Sequence, residues 1–169
     1  FDGLIDPNVC SDFITKLQNF WHAAHNGRTL GGVNFITKTT EDLHVSEYAF
    51  KEKELKWDWQ LAEMEMAFTA GLTSAISLYK QNYRHLDHWI EIEDTGFQVQ
   101  KYYKNFGYYR PHVDSFPGGG VGNRVLGAVI YLNNIEYGGE TNFPIHNVMV
   151  RSEEHTSELQ SRFGISYAV

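Results

Sequence analysis

A chain of 169 residues is long enough for one domain with a single hydrophobic core. Its 42% apolar and 15% aromatic content excludes a disordered chain, and its single cysteine excludes an internal disulfide. A formal net charge of −7 argues against nucleic acid and anionic membrane surfaces as partners. With no apolar run of membrane-span length and no recognisable signal peptide, the sequence predicts a cytoplasmic protein, and it does not define the oligomeric state.

A helix is predicted near the start of the chain. Asp6 and Pro7 are typical of a helix start, with aspartate as the N-cap and proline at the first helical position. Gly27 is predicted to cap the end of this helical region, and a short strand is expected near 33–36. The helical spacing is carried by Val9, Cys10, Phe13, Ile14, Leu17, Phe20 and Trp21.

A second, longer helix is predicted over about residues 57–83, because apolar side chains recur there along one helical face. Gly71 lies inside this helix and weakens it slightly. The apolar stripe, which we expect to face the core, comprises Leu61, Met64, Phe68, Leu72, Ala75 and Tyr79.

Strands are predicted in the second half of the chain, where the hydrophobic period changes. Residues 97–104 alternate between apolar and polar, and Gly107 turns the chain into a strand that carries His112. Residues 115–123 have the composition of a loop. Residues 125–132 are almost wholly apolar, which predicts a strand buried on both faces.

The order of these elements predicts an α+β fold. A turn at Gly138 and Gly139 precedes one or two further strands within residues 140–150. Helices first and short antiparallel strands later favour N-terminal helices packed on a double-stranded β-helix, or jelly-roll, core. We expect one domain over residues 1–150, with the jelly roll beginning near residue 95 and left incomplete at the C-terminus.

His112 and Asp114 are the strongest candidates for a metal site. In a strand, residues two apart point to the same face, so an imidazole and a carboxylate would lie side by side. Such a pair supplies two thirds of a 2-His-1-carboxylate triad for non-haem Fe(II). A hydrogen-bonded His–Asp pair in a sheet is the alternative. The other such pair, His85 and Asp87, falls at a helix end, where we predict an ordinary surface terminus.

Several motifs together resemble the prolyl 4-hydroxylase-like group of Fe(II)- and 2-oxoglutarate-dependent dioxygenases. The set is QKYYKNFGYYRPHVD, then Arg124, YLN, GGET and FP, and the opening FDGLIDPNVCSDFI looks like the group's first helix. The resemblance covers residues 1–150 and is most specific over 98–144. It implies an enzyme of this class with a jelly-roll core.

The resemblance implies roles for four residues. His112 and Asp114 would be the catalytic iron ligands, and Tyr103, nine residues before the histidine, would donate a hydrogen bond to 2-oxoglutarate. Thr141, in GGET, would line the same pocket. The alternatives are a core aromatic for Tyr103 and an ordinary strand threonine for Thr141. Arg124 and YLN are interpreted as structural, and the GGET glycines as a turn.

The resemblance also implies the cofactors and the reaction. Fe(II) would bind 2-oxoglutarate and O2 at its three remaining positions, with ascorbate as the reductant. A substrate C–H bond would be hydroxylated, with succinate and CO2 as co-products. Peptidyl proline is the expected substrate, and a small molecule is the alternative. The aromatic segment 102–109 would line a peptide groove or belong to the core.

The family pattern also requires a later histidine ligand and, about ten residues beyond it, a basic residue for 2-oxoglutarate. His146 follows GGET too closely. His155 and Arg162 have better spacing, but they lie in or beside RSEEHTSELQS, which matches the forward translation of a widely used short-read sequencing adapter. We therefore predict a non-native tail over residues 151–169, the alternative being a solvated acidic loop.

Two further hypotheses compete with an active dioxygenase. One is a catalytically inactive jelly-roll binding module, and the other is a truncated, inactive fragment. A downstream histidine followed by lysine or arginine would favour the enzyme. For the chain as it stands, we predict little or no Fe(II)-dependent decarboxylation of 2-oxoglutarate.

Overall fold

A computed structural model describes residues 4–45, 59–84, 96–114, 126–151 and 164–168, with 59–61 and 164–168 described by their backbone alone. The fold is mixed α/β, and the described residues form two α-helices and several small sheets. The helices are α1 (Pro7–Leu17) and α2 (Trp59–Asn82), and a 3₁₀ turn covers Trp21–Ala23. The strands are β1 (His25–Asn26), β2 (Arg28–Thr29), β3 (Gly32–Val33), β4 (Lys38–Thr39), β5 (Glu41–His44), β6 (Gln98–Tyr102), β7 (Tyr108–Tyr109), β8 (Val129–Tyr131), β9 (Thr141–Phe143), β10 (Val148–Val150) and β11 (Gly164–Ala168).

Helix α1 begins as the sequence predicts. The Asp6 carboxylate accepts a hydrogen bond from the backbone N–H of Asn8 at 2.7 Å, which satisfies a donor of the first turn. The helix ends at Leu17, so the prediction that Gly27 caps it is wrong. Gly27 instead donates its N–H to the Thr40 carbonyl at 2.8 Å, in a position where the Lys38 and Thr40 side chains leave no room for a Cβ.

The two helices share one hydrophobic core with the sheet. The Phe13 and Phe68 rings meet edge to face with centroids 4.6 Å apart, and Phe97 lies 6.4 Å from Phe68. The predicted apolar stripe of α2 is confirmed at four positions that are buried, whereas Tyr79 is partly exposed and the Leu61 side chain is outside the described atoms. The buried positions of the stripe are Met64, Phe68, Leu72 and Ala75.

Gly71 has a packing role in α2 that the sequence does not reveal. A Cβ built at this position would lie 2.7 Å from Cγ1 of Ile5 and 3.3 Å from the Leu4 carbonyl oxygen. The missing side chain therefore lets the segment before α1 lie directly against α2. This close approach offsets the lower helix propensity of glycine.

The largest sheet has five strands in the order β1-β5-β6-β11-β8. Strands β1, β5 and β6 are antiparallel neighbours, and β11 is parallel to both β6 and β8. The strand predicted for 97–104 is confirmed over Gln98–Tyr102 as β6, but three consecutive side chains in it are buried, so the expected alternation of buried and exposed positions is wrong. Strand β8 is shorter than the predicted strand 125–132 and its side chains are only partly buried, so burial on both faces is wrong for Val129–Tyr131. Strand β8 stands last in the sheet order, with a neighbour on one side only among the described strands.

Three two-stranded sheets complete the described structure: β2 with β3, β4 with β7, and β9 with β10. The prediction of a strand near 33–36 is wrong beyond Val33, where β3 ends. Asn34 instead begins a turn, because its side chain accepts from Ile36 N–H at 3.0 Å and its carbonyl accepts from Thr37 N–H at 3.0 Å. The turn at Gly138–Gly139 is confirmed by φ angles of 82° and 73°, and it precedes the β9–β10 hairpin.

The prediction of an α+β fold is confirmed only in that helices and strands are combined, because the described strands form no closed barrel and do not define a jelly-roll core. Strand β11 lies within the segment predicted to be a non-native tail. Neither of the two described helices combines the length and apolarity needed to cross a membrane. The helix end at 85–87, the loop at 115–123 and Arg124 lie outside the described residues.

Candidate metal centre

His112 and Asp114 lie beyond a strand rather than in one. Strand β7 ends at Tyr109, and the N–H of Arg110 makes a last hydrogen bond to the Thr37 carbonyl at 2.9 Å. Pro111 has no N–H to donate and cannot continue the ladder. The prediction that a strand carries His112 and Asp114 is therefore wrong. Their side chains come together in irregular backbone and not through the alternation of a strand.

The two side chains nevertheless meet. His112 Nε2 lies 3.2 Å from Asp114 Oδ1, and each side chain is 23% exposed. His112 Nδ1 lies 2.6 Å from the carbonyl oxygen of Arg110, which can only accept, so Nδ1 carries the proton. This bond selects the tautomer and aims Nε2 at the carboxylate, as a backbone carbonyl does for many metal-ligating histidines.

The geometry has a direct chemical consequence. With Nδ1 protonated, the lone pair of Nε2 in a neutral imidazole would face the carboxylate, so this contact requires either a shared proton between the two atoms or a cation bound to both from one side. Two ligands at right angles, each about 2.1 Å from an octahedral ion, are about 3 Å apart. The separation of 3.2 Å between His112 Nε2 and Asp114 Oδ1 therefore fits two adjacent positions of a divalent metal.

An aromatic ring covers one face of the histidine. The Tyr109 and His112 rings are stacked, with centroids 3.6 Å apart and an interplanar angle of 13°. The imidazole is thus fixed by a hydrogen bond at Nδ1 and by contact across its face. The sequence gives no indication of this contact.

Tyr103 follows β6 directly and is bonded to a carboxylate. Its hydroxyl donates to Glu41 Oε2 at 2.6 Å, and Trp21 Nε1 donates to the same oxygen at 2.5 Å. The ammonium of Lys101 lies 4.8 Å from the centre of the Tyr103 ring and 5.2 Å from that of Trp21. Two donors and a cation therefore converge on one carboxylate.

The pKa values of this cluster follow from those contacts. Burial acts to raise the pKa of Glu41, but the hydrogen bonds from Trp21 and Tyr103 and the charge of Lys101 together outweigh it and lower the pKa. The hydrogen bond to Glu41, with burial and the carboxylate charge, raises the pKa of the Tyr103 hydroxyl. Tyr103 is therefore held as a neutral donor to an ionised acceptor.

Thr141 begins β9, and its hydroxyl is hydrogen-bonded to the hydroxyl of Tyr131 on β8. Of the four predicted site residues, His112 and Asp114 thus bond to each other. Tyr103 bonds to Glu41, which no sequence motif marks, and Thr141 bonds to Tyr131 of the YLN motif. Glu41 pairs with Lys101 across β5 and β6, about sixty residues apart in the chain, so no local sequence pattern marks it.

Among the described residues, no group of three His, Cys, Asp or Glu side chains could hold a metal ion. These residues therefore supply no third ligand beside His112 and Asp114. His146 lies exposed in the turn between β9 and β10, with its N–H donating to the Phe143 carbonyl at 3.1 Å. His155 and Arg162 lie outside the described residues.

Searches for similar proteins found no matching family model, curated protein or solved structure.

Proposed function

We propose that the chain is derived from an Fe(II)- and 2-oxoglutarate-dependent dioxygenase of the prolyl 4-hydroxylase-like group, built on a jelly-roll core. The observation that carries the proposal is the pairing of His112 Nε2 with Asp114 Oδ1 at 3.2 Å, with Nδ1 held by a backbone carbonyl at 2.6 Å. Both the atom types and the spacing suit two adjacent positions of an octahedral Fe(II).

The chemistry supplied when Fe(II), 2-oxoglutarate and O2 are bound is hydroxylation of a substrate C–H bond, with succinate and CO2 as co-products and ascorbate as reductant. In this proposal His112 and Asp114 ligate the metal and fix its position. Tyr103 donates its hydroxyl hydrogen to a carboxylate of 2-oxoglutarate. The Tyr103 hydroxyl has a single hydrogen, which it donates to the Glu41 carboxylate, so this role requires 2-oxoglutarate to displace Glu41 as the acceptor.

A peptide containing proline is the proposed substrate. The support comes from an aromatic side chain in the segment between β6 and β7. Phe106 is 60% exposed, so its ring is available to an extended peptide. Thr141 is proposed to line the cosubstrate pocket through its hydroxyl.

The proposal is tested first by metal binding. Titration of the full chain with Co(II) under anaerobic conditions should show weak binding that falls by at least about tenfold in His112→Ala and in Asp114→Ala. His146→Ala is the matched control, because this exposed histidine lies in the β9–β10 turn and should leave the affinity unchanged. Equal affinity in all four proteins would exclude His112 and Asp114 as ligands.

Turnover is the second test. We predict little or no Fe(II)-dependent formation of succinate from 2-oxoglutarate by this chain, since a two-ligand site holds iron weakly. Robust turnover that is lost in His112→Ala would contradict this prediction and would mean that residues outside the described ranges complete the site.

A catalytically inactive jelly-roll binding module is the second candidate. The observation that favours it is that no three metal-ligating side chains come together among the described residues. In a binding module the His112–Asp114 contact is an ordinary ion pair that orders the chain after β7. Peptide binding that persists in His112→Ala, with no cobalt binding in any variant, would favour this function over the dioxygenase.

A further inference from the structure

We propose that Tyr109 is a positioning residue for the His112 ring, and that the buried Lys38–Asp42 pair in turn fixes Tyr109. The inference deepens the proposed function, because it names the residues that would aim a metal ligand. It rests on three consecutive side-chain contacts, of which the middle one joins cross-strand partners of β4 and β7.

The first contact lies in the core. Asp42 is 0% exposed and Lys38 is 2% exposed, and Lys38 Nζ lies 2.6 Å from Asp42 Oδ2. Thr40 Oγ1 donates to Asp42 Oδ1 at 2.7 Å, and Gln98 Nε2 donates to Oδ2 at 3.1 Å. A buried carboxylate with this many donors has one orientation, so it fixes the position of the ammonium.

The second contact joins Lys38 to the aromatic ring. Lys38 and Tyr109 are direct cross-strand partners in the β4–β7 pair, which places their side chains on the same face. Lys38 Nζ lies 4.8 Å from the centre of the Tyr109 ring, within the range of a cation–π interaction. Such an interaction is strongest where water is excluded, as it is around this ammonium.

The third contact joins the ring to the candidate ligand. The Tyr109 and His112 rings stack at 3.6 Å with an interplanar angle of 13°, so rotation of the imidazole out of its plane would collide with the tyrosine. The Arg110 carbonyl fixes the direction of Nδ1 within that plane. Together the two contacts determine where Nε2 points, which is the property that a metal ligand requires.

The adjacent residue provides a matched control. Tyr108 pairs with Thr39 in the same two strands and therefore projects to the opposite face. Its hydroxyl donates to the Phe35 carbonyl at 2.5 Å. Replacing Tyr108 perturbs the same strand without removing the ring that covers His112.

The experiment uses the full chain and two readouts. Long-range proton–nitrogen NMR of the histidine rings, assigned with His112→Asn, reports the tautomer and ring-current shift of His112 without any metal. Tyr109→Leu should move the His112 ring resonances downfield and mix its tautomers, whereas Tyr109→Phe and Tyr108→Leu should leave them close to those of the wild type. Lys38→Met, which removes the cation but keeps an unbranched side chain, should shift them in the same direction as Tyr109→Leu, and unchanged resonances in Lys38→Met would overturn the role of the Lys38–Asp42 pair.

Cobalt titration of the same proteins separates this inference from the proposed function. Tyr109→Leu should lower the Co(II) affinity about 10- to 100-fold, and Tyr109→Phe should restore it. If the wild type binds no cobalt, the proposed function fails while the NMR comparison still decides the positioning role. Unchanged His112 ring resonances in Tyr109→Leu would overturn the inference whatever the metal affinity.

Discussion

At the scale of single residues, Asp42 is the most deeply buried polar group among the described residues. It is 0% exposed and accepts hydrogen bonds from Lys38, Thr40 and Gln98. Asp42→Ala would leave the Lys38 charge buried without its carboxylate, and we expect a loss of about 3–5 kcal/mol in the free energy of unfolding. Urea denaturation followed by circular dichroism measures this loss.

The control for Asp42 is a surface aspartate that also pairs with a lysine four residues away in the chain. Asp12 pairs with Lys16 at 2.6 Å along α1, and the Asp12 side chain is 59% exposed. Because water screens this pair, Asp12→Ala should leave the urea midpoint almost unchanged. Equal effects of the two substitutions would show that burial of the Lys38–Asp42 pair has no energetic consequence.

Glu41 should make stability depend on pH in a defined direction. Its pKa is lowered from the ordinary value of 4.5 in the folded protein, so its contribution is present above that value and is lost as the pH falls through the folded-state pKa. The melting temperature of the wild type should therefore exceed that of Glu41→Gln at neutral pH. The difference should shrink as the pH falls below about 5.

Glu63→Gln, which alters an exposed glutamate on α2, is the control for that measurement. Its melting temperature relative to the wild type should vary much less across the same range. A difference between wild type and Glu41→Gln that stays constant with pH would mean that Trp21 and Tyr103 do not hold the carboxylate ionised.

The residue-scale contacts differ in how far the sequence predicts them. The Asp6 cap is predictable, because the carboxylate and the N–H that it accepts from are two residues apart. The His112–Asp114 contact is also local, although it forms in irregular backbone after Pro111 and not in a strand. The Tyr103–Glu41 bond spans 62 residues, and only the pairing of β5 with β6 brings its partners together.

At the scale of elements, the packing of α2 against α1 should contribute strongly to stability. Phe68 is 1% exposed and meets Phe13 edge to face. Phe68→Ala removes that contact and leaves a cavity, so we expect a loss of about 3–5 kcal/mol in the free energy of unfolding. Guanidinium denaturation is the measurement, with Met66→Ala as the control on the same helix.

Met66 is 64% exposed, and its truncation should change the free energy of unfolding by less than about 0.5 kcal/mol. A Phe68→Ala variant as stable as Met66→Ala would mean that the two helices do not share a core. The apolar period of α2 predicts this face correctly, because a helix can bury only one stripe against the sheet.

Short strands are where the sequence prediction was least accurate. In the polar stretch after α1, strands β1 to β4 are each only two residues long. The Asn34 turn ends β3 early, and the Lys38 and Thr40 side chains lie against Gly27. Such short strands depend on the partner strand and on turn chemistry rather than on a hydrophobic period. The same dependence explains why β7 stops at Tyr109.

At the scale of the whole molecule, β11 joins the two parts of the main sheet. Ile165 is paired with Val99 of β6 on one side and with Ile130 of β8 on the other. No other described strand connects β6 to β8, so the sheet order cannot be derived from the motifs that resemble a dioxygenase. Those motifs lie within residues 1–150, and β11 lies beyond them.

Removal of β11 should therefore expose two strand edges at once. Deleting residues 152–169 leaves β6 and β8 with unpaired backbone groups facing the space between them, and unpaired edges recruit other chains. We expect the deleted chain to form larger species than the full chain does, as measured by size-exclusion chromatography with light scattering. Its urea midpoint should also fall, because the ladders on both sides of β11 are lost.

A single substitution tests the same point without shortening the chain. Ile165→Pro removes the N–H from the middle of a strand that has partners on both sides, where proline is not tolerated. It should reproduce the association and the lower urea midpoint of the deleted chain. If both variants keep the mass and midpoint of the full chain, β11 adds nothing to the fold, and the non-native tail predicted for 151–169 is the better description of that segment.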